Sequence, residues 1–125
     1  MKSIINIPNA PVPVGPYSQA VNYNGLIISS GQIGINPKTG ILSSDSLESE
    51  LIQIFENIDA LLLASNLKKE NILKCSIFLK NMNDFDEVNE IYSRFFEQPY
   101  PSRETVEVSR LPKDANIEIS FIAGK

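Results

Sequence analysis

The sequence contains no histidine among its 125 residues. Histidine is the usual proton carrier near neutral pH and the commonest metal-binding side chain. Its absence excludes a Ser-His catalytic triad, the histidine pair of a metal-independent ribonuclease and most zinc sites. With one cysteine as well, the chain offers no cluster of transition-metal ligands, so no metal site is expected.

Basic runs, cysteines and long apolar runs are also scarce. The 11 basic and 15 acidic residues give a net charge of −4, so nothing in the composition favours a nucleic acid partner. The single cysteine, Cys75, cannot form an internal disulfide and suits a reducing cytosol. Inside an apolar strand it is predicted to be plain core. There is no apolar run of the kind found in signal peptides or membrane spans, which predicts a cytoplasmic protein without a membrane partner.

The length and the 42% hydrophobic content predict one globular domain spanning residues 1–125. The proline-rich stretch PNAPVPVGP predicts a stiff, non-helical entry segment. Asn24 and Gly25 separate QAVNY from GLIIS and predict a hairpin turn. The GQIGINPKTG stretch that follows predicts a loop or a distorted strand.

The middle of the chain shows helical periodicity. Apolar residues recur at helical spacing from Leu47 to Leu62. A capping box of Asp45 and Glu48 is predicted to start this helix, and Asn66 is predicted to end it in a left-handed conformation.

A second helix is predicted from Phe85 to Phe96, capped by Asp84 with Glu87. The ILKCSIFLK stretch between the two helices alternates as a strand, and two more strands follow the second helix. The predicted order is ββαβαββ, an α+β fold in which two helices cover one face of a sheet.

Two charged side chains interrupt the predicted C-terminal strands. Because side chains alternate along a strand, Arg103 shares a face with Thr105, and Glu118 shares a face with Ser120. An antiparallel pairing that stacks the apolar residues would place Arg103 and Glu118 on the same wall. A carboxylate-binding guanidinium and a proton-carrying acid would then form the beginning of a site.

The sheet face opposite the two helices is predicted to be uncovered in a single chain. Such a face, with polar residues and scattered apolar ones such as Ile122, can simply be solvated. It can equally be buried between subunits with a ligand cleft at its edge. The residues alone leave these two alternatives level.

Four motifs resemble the reactive intermediate deaminase family (the YjgF family), whose members are called enamine/imine deaminases. They are NAPVPVGPYSQAV, ISSGQIGINPKTG, FLKNMNDFDEVNEIY and, most specifically, PSRETVEVSRLPKDANIEI, and they cover the chain almost end to end. One residue departs from the family pattern, since Glu104 follows the arginine where a small residue is usual. Its strand position predicts that Glu104 points away from Arg103, and whether it alters the local field stays open.

The resemblance implies a fold, an assembly and an activity. The fold is a mixed sheet with helices outside, and three copies form a chorismate-mutase-like trimeric barrel with sites between subunits. The activity is hydrolysis of 2-aminoacrylate and 2-iminobutanoate to 2-ketoacids and ammonia, without metal or other cofactor. The resemblance implies Arg103 and Glu118 as catalytic residues, and Tyr17, Ser30, Gly31, Asn89, Arg103 and Thr105 as substrate-binding residues.

Several of these residues also have a structural interpretation. Tyr17 can anchor the entry segment instead of contacting a ligand, and Gly31 with Ser30 can form a bulge in a strand. A buried asparagine such as Asn89 more often ties down a loop, and Arg103 can be a surface arginine paired with a neighbouring glutamate.

Three functions are compatible with the sequence. The first is the imine hydrolase that the resemblance implies. The second is an endoribonuclease or translation inhibitor, which the missing histidines and the acidic balance disfavour. The third is a non-catalytic binder of small carboxylates, for which Arg103 would suffice without Glu118.

Overall fold

Two α-helices and six strands make up the chain, and the computed structural model describes residues 1–125. In chain order they are β1 (Ser3–Ile5), β2 (Ala20–Tyr23), β3 (Leu26–Ser29), α1 (Leu47–Ala64), β4 (Ile72–Leu79), α2 (Phe85–Phe95), β5 (Ser102–Glu107) and β6 (Ile117–Ala123). The predicted ββαβαββ order is confirmed from β2 onward. Strand β1 is an addition that the sequence reasoning missed, because three residues are too few to show alternation.

All six strands form one sheet in the order β1-β2-β3-β6-β4-β5. Strands β4 and β5 are parallel, joined by the crossover helix α2, and every other pair is antiparallel, so the mixed sheet is confirmed. The expected antiparallel pairing of the two C-terminal strands is wrong. Strand β4 lies between β5 and β6, because a helical crossover returns β5 parallel to β4 and leaves it at the edge of the sheet.

Both helices pack on one face of the sheet, as predicted. The alternate residues Cys75, Ile77 and Leu79 of β4 are fully buried against them, so Cys75 is a core residue. Helix α1 contributes a continuous apolar stripe that includes Leu51 and Ile58. The other face of the sheet carries no helix and keeps several apolar side chains exposed.

The start of α1 differs from the prediction. Ser46 has extended backbone angles, and its hydroxyl accepts a hydrogen bond from the Ser49 amide at 3.0 Å. The Ser49 hydroxyl accepts one from the Ser46 amide at 3.1 Å. The capping box is therefore Ser46 with Ser49, one residue later than the predicted Asp45 and Glu48.

The other helix ends follow simple backbone rules. Asn66, just beyond α1, has a positive φ of 57°, as predicted for its C-terminus. Asp84 precedes α2 but is already in a helical conformation and makes no capping hydrogen bond, so its predicted capping role is wrong. Asn81 caps the 3-10 turn before it, since its side-chain oxygen accepts from the Asn83 amide at 2.9 Å. Neither helix is long and apolar enough to span a membrane.

Candidate functional site

Arg103 and Glu118 lie on opposite faces of the sheet. Arg103 in β5 pairs with Cys75 of β4, while Glu118 in β6 pairs with Phe78 of the same strand. Directly paired residues share a face, and residues three apart on a strand point to opposite faces. The expectation that both charges share one wall of a single chain is therefore wrong, and the predicted site is divided into two groups of residues.

The first group surrounds the guanidinium of Arg103, on the helix-bearing face at the sheet edge. Its Nη2 donates a hydrogen bond to the Asn89 side-chain oxygen at 2.7 Å. Its central carbon lies 4.9 Å from the centroid of the Tyr92 ring and 5.7 Å from that of Phe85. No carboxylate forms an ion pair with Arg103. The guanidinium is thus held in place by neutral groups while its charge stays available to an anion.

A shallow cavity of about 270 Å³ opens beside this arginine. Its lining includes Asn89, Tyr92, Tyr100 and Arg103. Such a lining combines aromatic surface with one cation, which suits a small molecule that carries a carboxylate.

Glu104 does not disturb Arg103. As the strand position predicted, it points to the opposite face, where its Oε1 lies 3.1 Å from the Lys74 amine and accepts from the Ser76 hydroxyl at 3.1 Å. The hydrogen bonds from Lys74 and Ser76 hold the pKa of Glu104 below its usual value. The departure from the family pattern therefore leaves the guanidinium free.

Thr105 lies on the same face as Arg103, paired with Ile77 of β4. Its hydroxyl oxygen is buried and has no hydrogen-bond partner, and Thr105 is not among the residues that line the cavity beside Arg103. Buried polar atoms normally have partners, so this hydroxyl has unused hydrogen-bonding capacity. Burial raises the pKa of both Tyr92 and Cys75, so phenol and thiol stay protonated and neither supplies a reactive anion.

The second group surrounds the carboxyl group of Glu118 in a cavity of about 390 Å³. Among the predicted site residues, this cavity is lined by Tyr17, Ser30, Gly31 and Glu118. The proline-rich entry segment forms one wall, with Val12 and Val14 at its rim. Lys113, in a 3-10 turn before β6, forms another part of the lining and has a left-handed φ of 54°.

Gly31 lies in a bulge that brings the backbone against Glu118. Strand β3 pairs with β6 up to Ile28 and Ile122, and pairing resumes at Gln32 with Ile119, so residues 29–31 face only residues 120–121. A Cβ atom on Gly31 would collide with the Glu118 carboxylate. The bulge therefore requires glycine, and it lets the main chain approach the acid closely.

Burial raises the pKa of Glu118 above the usual glutamate value. No cation forms an ion pair with it to reverse the shift. A carboxyl group whose pKa is raised toward neutrality can accept a proton in one step and return it in the next. The environment of Glu118 thus suits general acid–base chemistry.

Tyr17 and Ser30 serve the entry segment as well as the cavity. The Tyr17 hydroxyl accepts a hydrogen bond from the Val14 amide at 3.2 Å, and the ring packs beside Gly15. The Ser30 hydroxyl donates to the Ser18 carbonyl at 2.6 Å. Both side chains therefore have the structural role that the sequence left open for Tyr17, and both also border the cavity.

Sequence reasoning missed Gln19, the residue that fastens the entry segment. Its side chain accepts from the Ile7 amide at 2.6 Å and donates to the carbonyls of Ile7, Ala10 and Pro11 at 2.9–3.1 Å. Gln19 is only 3% exposed. The sequence signal that could have revealed it is a side chain with both a donor and an acceptor, close after a proline-rich segment whose backbone groups lack regular hydrogen bonds.

No group of three or more cysteine, aspartate or glutamate side chains gathers where it could hold a metal ion. The arrangement consists of a cation held by neutral groups and an acid with a raised pKa, in separate cavities. These features define a small α+β protein with two separate candidate cavities, one beside Arg103 and one beside Glu118.

Comparison with known proteins agrees with this class. Residues 7–125 match the family model described as "Endoribonuclease L-PSP". A RutC family protein of Aquifex aeolicus is 50% identical over 97% of this chain and 98% of its own length. The 2-iminobutanoate/2-iminopropanoate deaminase of Escherichia coli is 44% identical over 98% of both chains.

A solved structure gives the same result. A Rid family protein from Yersinia pestis superposes with a TM-score of 0.96, at 48% identity and over 100% of both chains. The chain belongs to this family, the reactive intermediate deaminase or Rid family, which the motifs had indicated.

Proposed function

We propose that this protein hydrolyses reactive 2-imino and 2-enamino acids, such as 2-iminobutanoate and 2-aminoacrylate, to 2-ketoacids and ammonia. The observation that carries the proposal is the guanidinium of Arg103, half-buried, aligned by Asn89 and Tyr92, and unpaired with any protein carboxylate. The names of relatives such as the Escherichia coli deaminase support the same chemistry.

Arg103 binds the substrate carboxylate. Its planar fork matches two carboxylate oxygens, and the hydrogen bond to Asn89 fixes the orientation of that fork before the ligand arrives. Thr105 lies two residues further along the same face of β5, and we propose that it borders the same ligand. Fixed orientation matters because the imines already react with water, and the protein gains rate by holding the reactants in place.

Glu118 carries the protons. Its carboxylate takes a proton from water as the oxygen attacks the imine carbon, and the C=N double bond becomes a single bond. The carboxylic acid returns this proton to nitrogen, which gives a carbinolamine. The carboxylate then takes the hydroxyl proton of the carbinolamine and passes it to the same nitrogen as the C–N bond breaks, which leaves a ketone and ammonia. One water is consumed, no electrons are transferred, and neither metal nor cofactor is needed.

The two half-sites are completed by different copies of the chain. Within one chain Arg103 and Glu118 face opposite sides of the sheet, so the Arg103 cavity of one subunit meets the Glu118 cavity of a neighbour. The helix-free face carries exposed apolar residues, Ile4, Tyr23, Leu26, Ile28 and Val106 among them. Apolar exposure of this extent marks an interface, and we propose a homotrimer of the 13.9 kDa chain.

A coupled assay tests the activity. A pyridoxal-phosphate-dependent dehydratase generates the imine from serine or threonine, and 2-ketoacid release is recorded with and without this protein after treatment with a chelator. We expect an accelerated release that chelation does not change. Release at the spontaneous rate would contradict the proposal.

Ribonucleolysis is the second candidate, because the family description names an endoribonuclease. This chain has no histidine, and Lys113 is the only cation that lines the Glu118 cavity. Incubation with single-stranded RNA separates the candidates, since the imine proposal expects no cleavage that depends on Arg103 and Glu118. Non-catalytic carboxylate binding, the third candidate, is separated by the effect of Glu118→Gln on turnover.

A further inference from the structure

Helix α1 buries one carboxylate without a cation. Glu50 is fully buried, and it is the only charged residue in the buried set. Its Oε1 accepts a hydrogen bond from the Asn116 amide at 2.7 Å, and its Oε2 accepts one from the Asn116 side-chain nitrogen at 2.8 Å. A buried carboxylate is costly unless it is hydrogen-bonded, so both oxygens are committed to holding Asn116.

The same residue contacts a second segment of main chain. Gly34 packs directly on Glu50, and a Cβ atom on Gly34 would lie 2.6 Å from the Glu50 carbonyl oxygen and 3.0 Å from its Cγ. Glu50 therefore fixes two backbone segments from one position on α1, one through hydrogen bonds and the other through close packing.

Both segments lead directly to the Glu118 cavity. Asn116 is two residues before Glu118, and Gly34 is three residues after Gly31. Asn57, two turns further along the same face of α1, donates to the Ile35 carbonyl at 3.0 Å and holds the far end of the second segment. One helix face thus sets the relative position of the acid and of the bulge that touches it.

We propose that Glu50 is a positioning residue that holds the Glu118 carboxyl group against the backbone of Gly31. The catalytic meaning of this role rests on the proposed function, in which Glu118 moves protons. The positioning itself is independent of the activity. It follows from the hydrogen bonds to Asn116 and the packing on Gly34.

Two substitutions at Glu50 separate the effect of the hydrogen bonds from the effect of the charge. Glu50→Met keeps the length of the side chain and removes both acceptors. Glu50→Gln removes the charge but keeps one acceptor, and its amide can pair with the Asn116 side chain after that amide rotates. Leu62→Ala is the control for general destabilisation, because it removes core volume about 18 Å further along the same helix. Asn116→Ala, which keeps only the backbone hydrogen bond, replaces Glu50→Met if that variant does not fold.

The pKa of Glu118 is measured by following the NMR signal of its carboxyl carbon as a function of pH. That signal is assigned because it is missing from the spectrum of Glu118→Gln. Tyr17 and Lys113 are the other titratable groups that line the cavity, and none of the variants changes them. We expect Glu50→Met to move the pKa of Glu118 down toward the usual glutamate value, while Glu50→Gln and Leu62→Ala leave it unchanged. Turnover should fall about 10-fold or more in Glu50→Met alone.

A folded Glu50→Met protein in which Glu118 titrates as in the wild type would overturn the inference. A Glu50→Gln protein that behaves like Glu50→Met would also overturn it, because charge rather than hydrogen bonding would then be responsible. If the wild type hydrolyses no imine but Glu118 still shifts in Glu50→Met, the proposed function fails while the positioning role stands.

Discussion

Arg103 and Glu118 are separated by strand β4, which pairs with Arg103 through Cys75 and with Glu118 through Phe78. Because Cys75 and Phe78 point to opposite sides of the sheet, the two charges do so as well. In the proposed reaction, the two groups therefore meet across a boundary between copies of the chain. This relationship makes assembly part of the catalytic proposal.

Replacing Glu118 by glutamine should separate turnover from binding. Glutamine keeps the size and hydrogen bonding of the side chain but cannot accept a proton, so we expect turnover to fall roughly 100-fold or more. The affinity for pyruvate or 2-ketobutyrate, measured by calorimetric titration, should change little. Wild-type turnover in this variant would remove Glu118 from the mechanism and leave Arg103 as the centre of a binding protein.

Arg103→Lys should weaken carboxylate binding. Lysine keeps the charge but loses the planar fork and the aligned hydrogen bond to Asn89, so we expect a loss of about 2 kcal/mol or more in ketoacid affinity. Arg94→Lys is the matched control, because Arg94 lies exposed in ion pairs with Glu48 and Glu90. Equal losses of ketoacid affinity in the two variants would show that the guanidinium of Arg103 is not specifically required for binding.

Gly31→Ala should displace the acid. The new Cβ would collide with the Glu118 carboxylate, so the side chain or the bulge must move. We expect a turnover loss of about 10-fold or more, since displacement of a catalytic group costs rate steeply. Gly124→Ala is the control, because its Cβ would meet nothing closer than 3.4 Å. A Gly31→Ala protein with full activity would show that the close approach is dispensable.

The raised pKa of Glu118 predicts a pH-dependent stability difference from Glu118→Gln. Below the unfolded pKa near 4.5, the folded wild type keeps the full benefit of a protonated Glu118. That benefit is lost as pH rises through the raised folded pKa, because the half-buried carboxylic acid must then ionise. The melting temperature of Glu118→Gln, measured by calorimetry, should therefore rise relative to that of the wild type between pH 4 and pH 8. A difference that does not vary with pH would contradict the burial of the carboxyl group.

The sequence correctly predicted features that depend only on residues close together along the chain. Asn24 and Gly25 both adopt positive φ in the hairpin turn, at 53° and 85°, because few other residues tolerate that region. Alternation along β5 correctly placed Glu104 away from Arg103. Gly31 does lie in a bulge of a distorted strand.

The sequence reasoning failed for features that depend on which strands pair with each other. Alternation assigns Arg103 to one face of β5 and Glu118 to one face of β6, but only the register of both strands against β4 relates those faces. The role of Glu50 was missed for a similar reason. Glu50 and Asn57 interrupt the apolar stripe of α1 at core positions, yet nothing local shows that their partners lie 66 and 22 residues away in the sequence.

Subunit mixing tests whether Arg103 and Glu118 act from different copies of the chain. Arg103→Ala and Glu118→Gln proteins, which we expect to be nearly inactive separately, are unfolded together in equal amounts and refolded. Light scattering checks that the product has three times the 13.9 kDa chain mass. Random mixing in a closed ring would give both intact residues at about one quarter of the inter-subunit sites, so we expect about a quarter of wild-type turnover to return. If both residues act from the same chain, no mixed trimer contains an intact site. Turnover of the refolded trimers that stays at the level of the separate variants would contradict catalysis between copies.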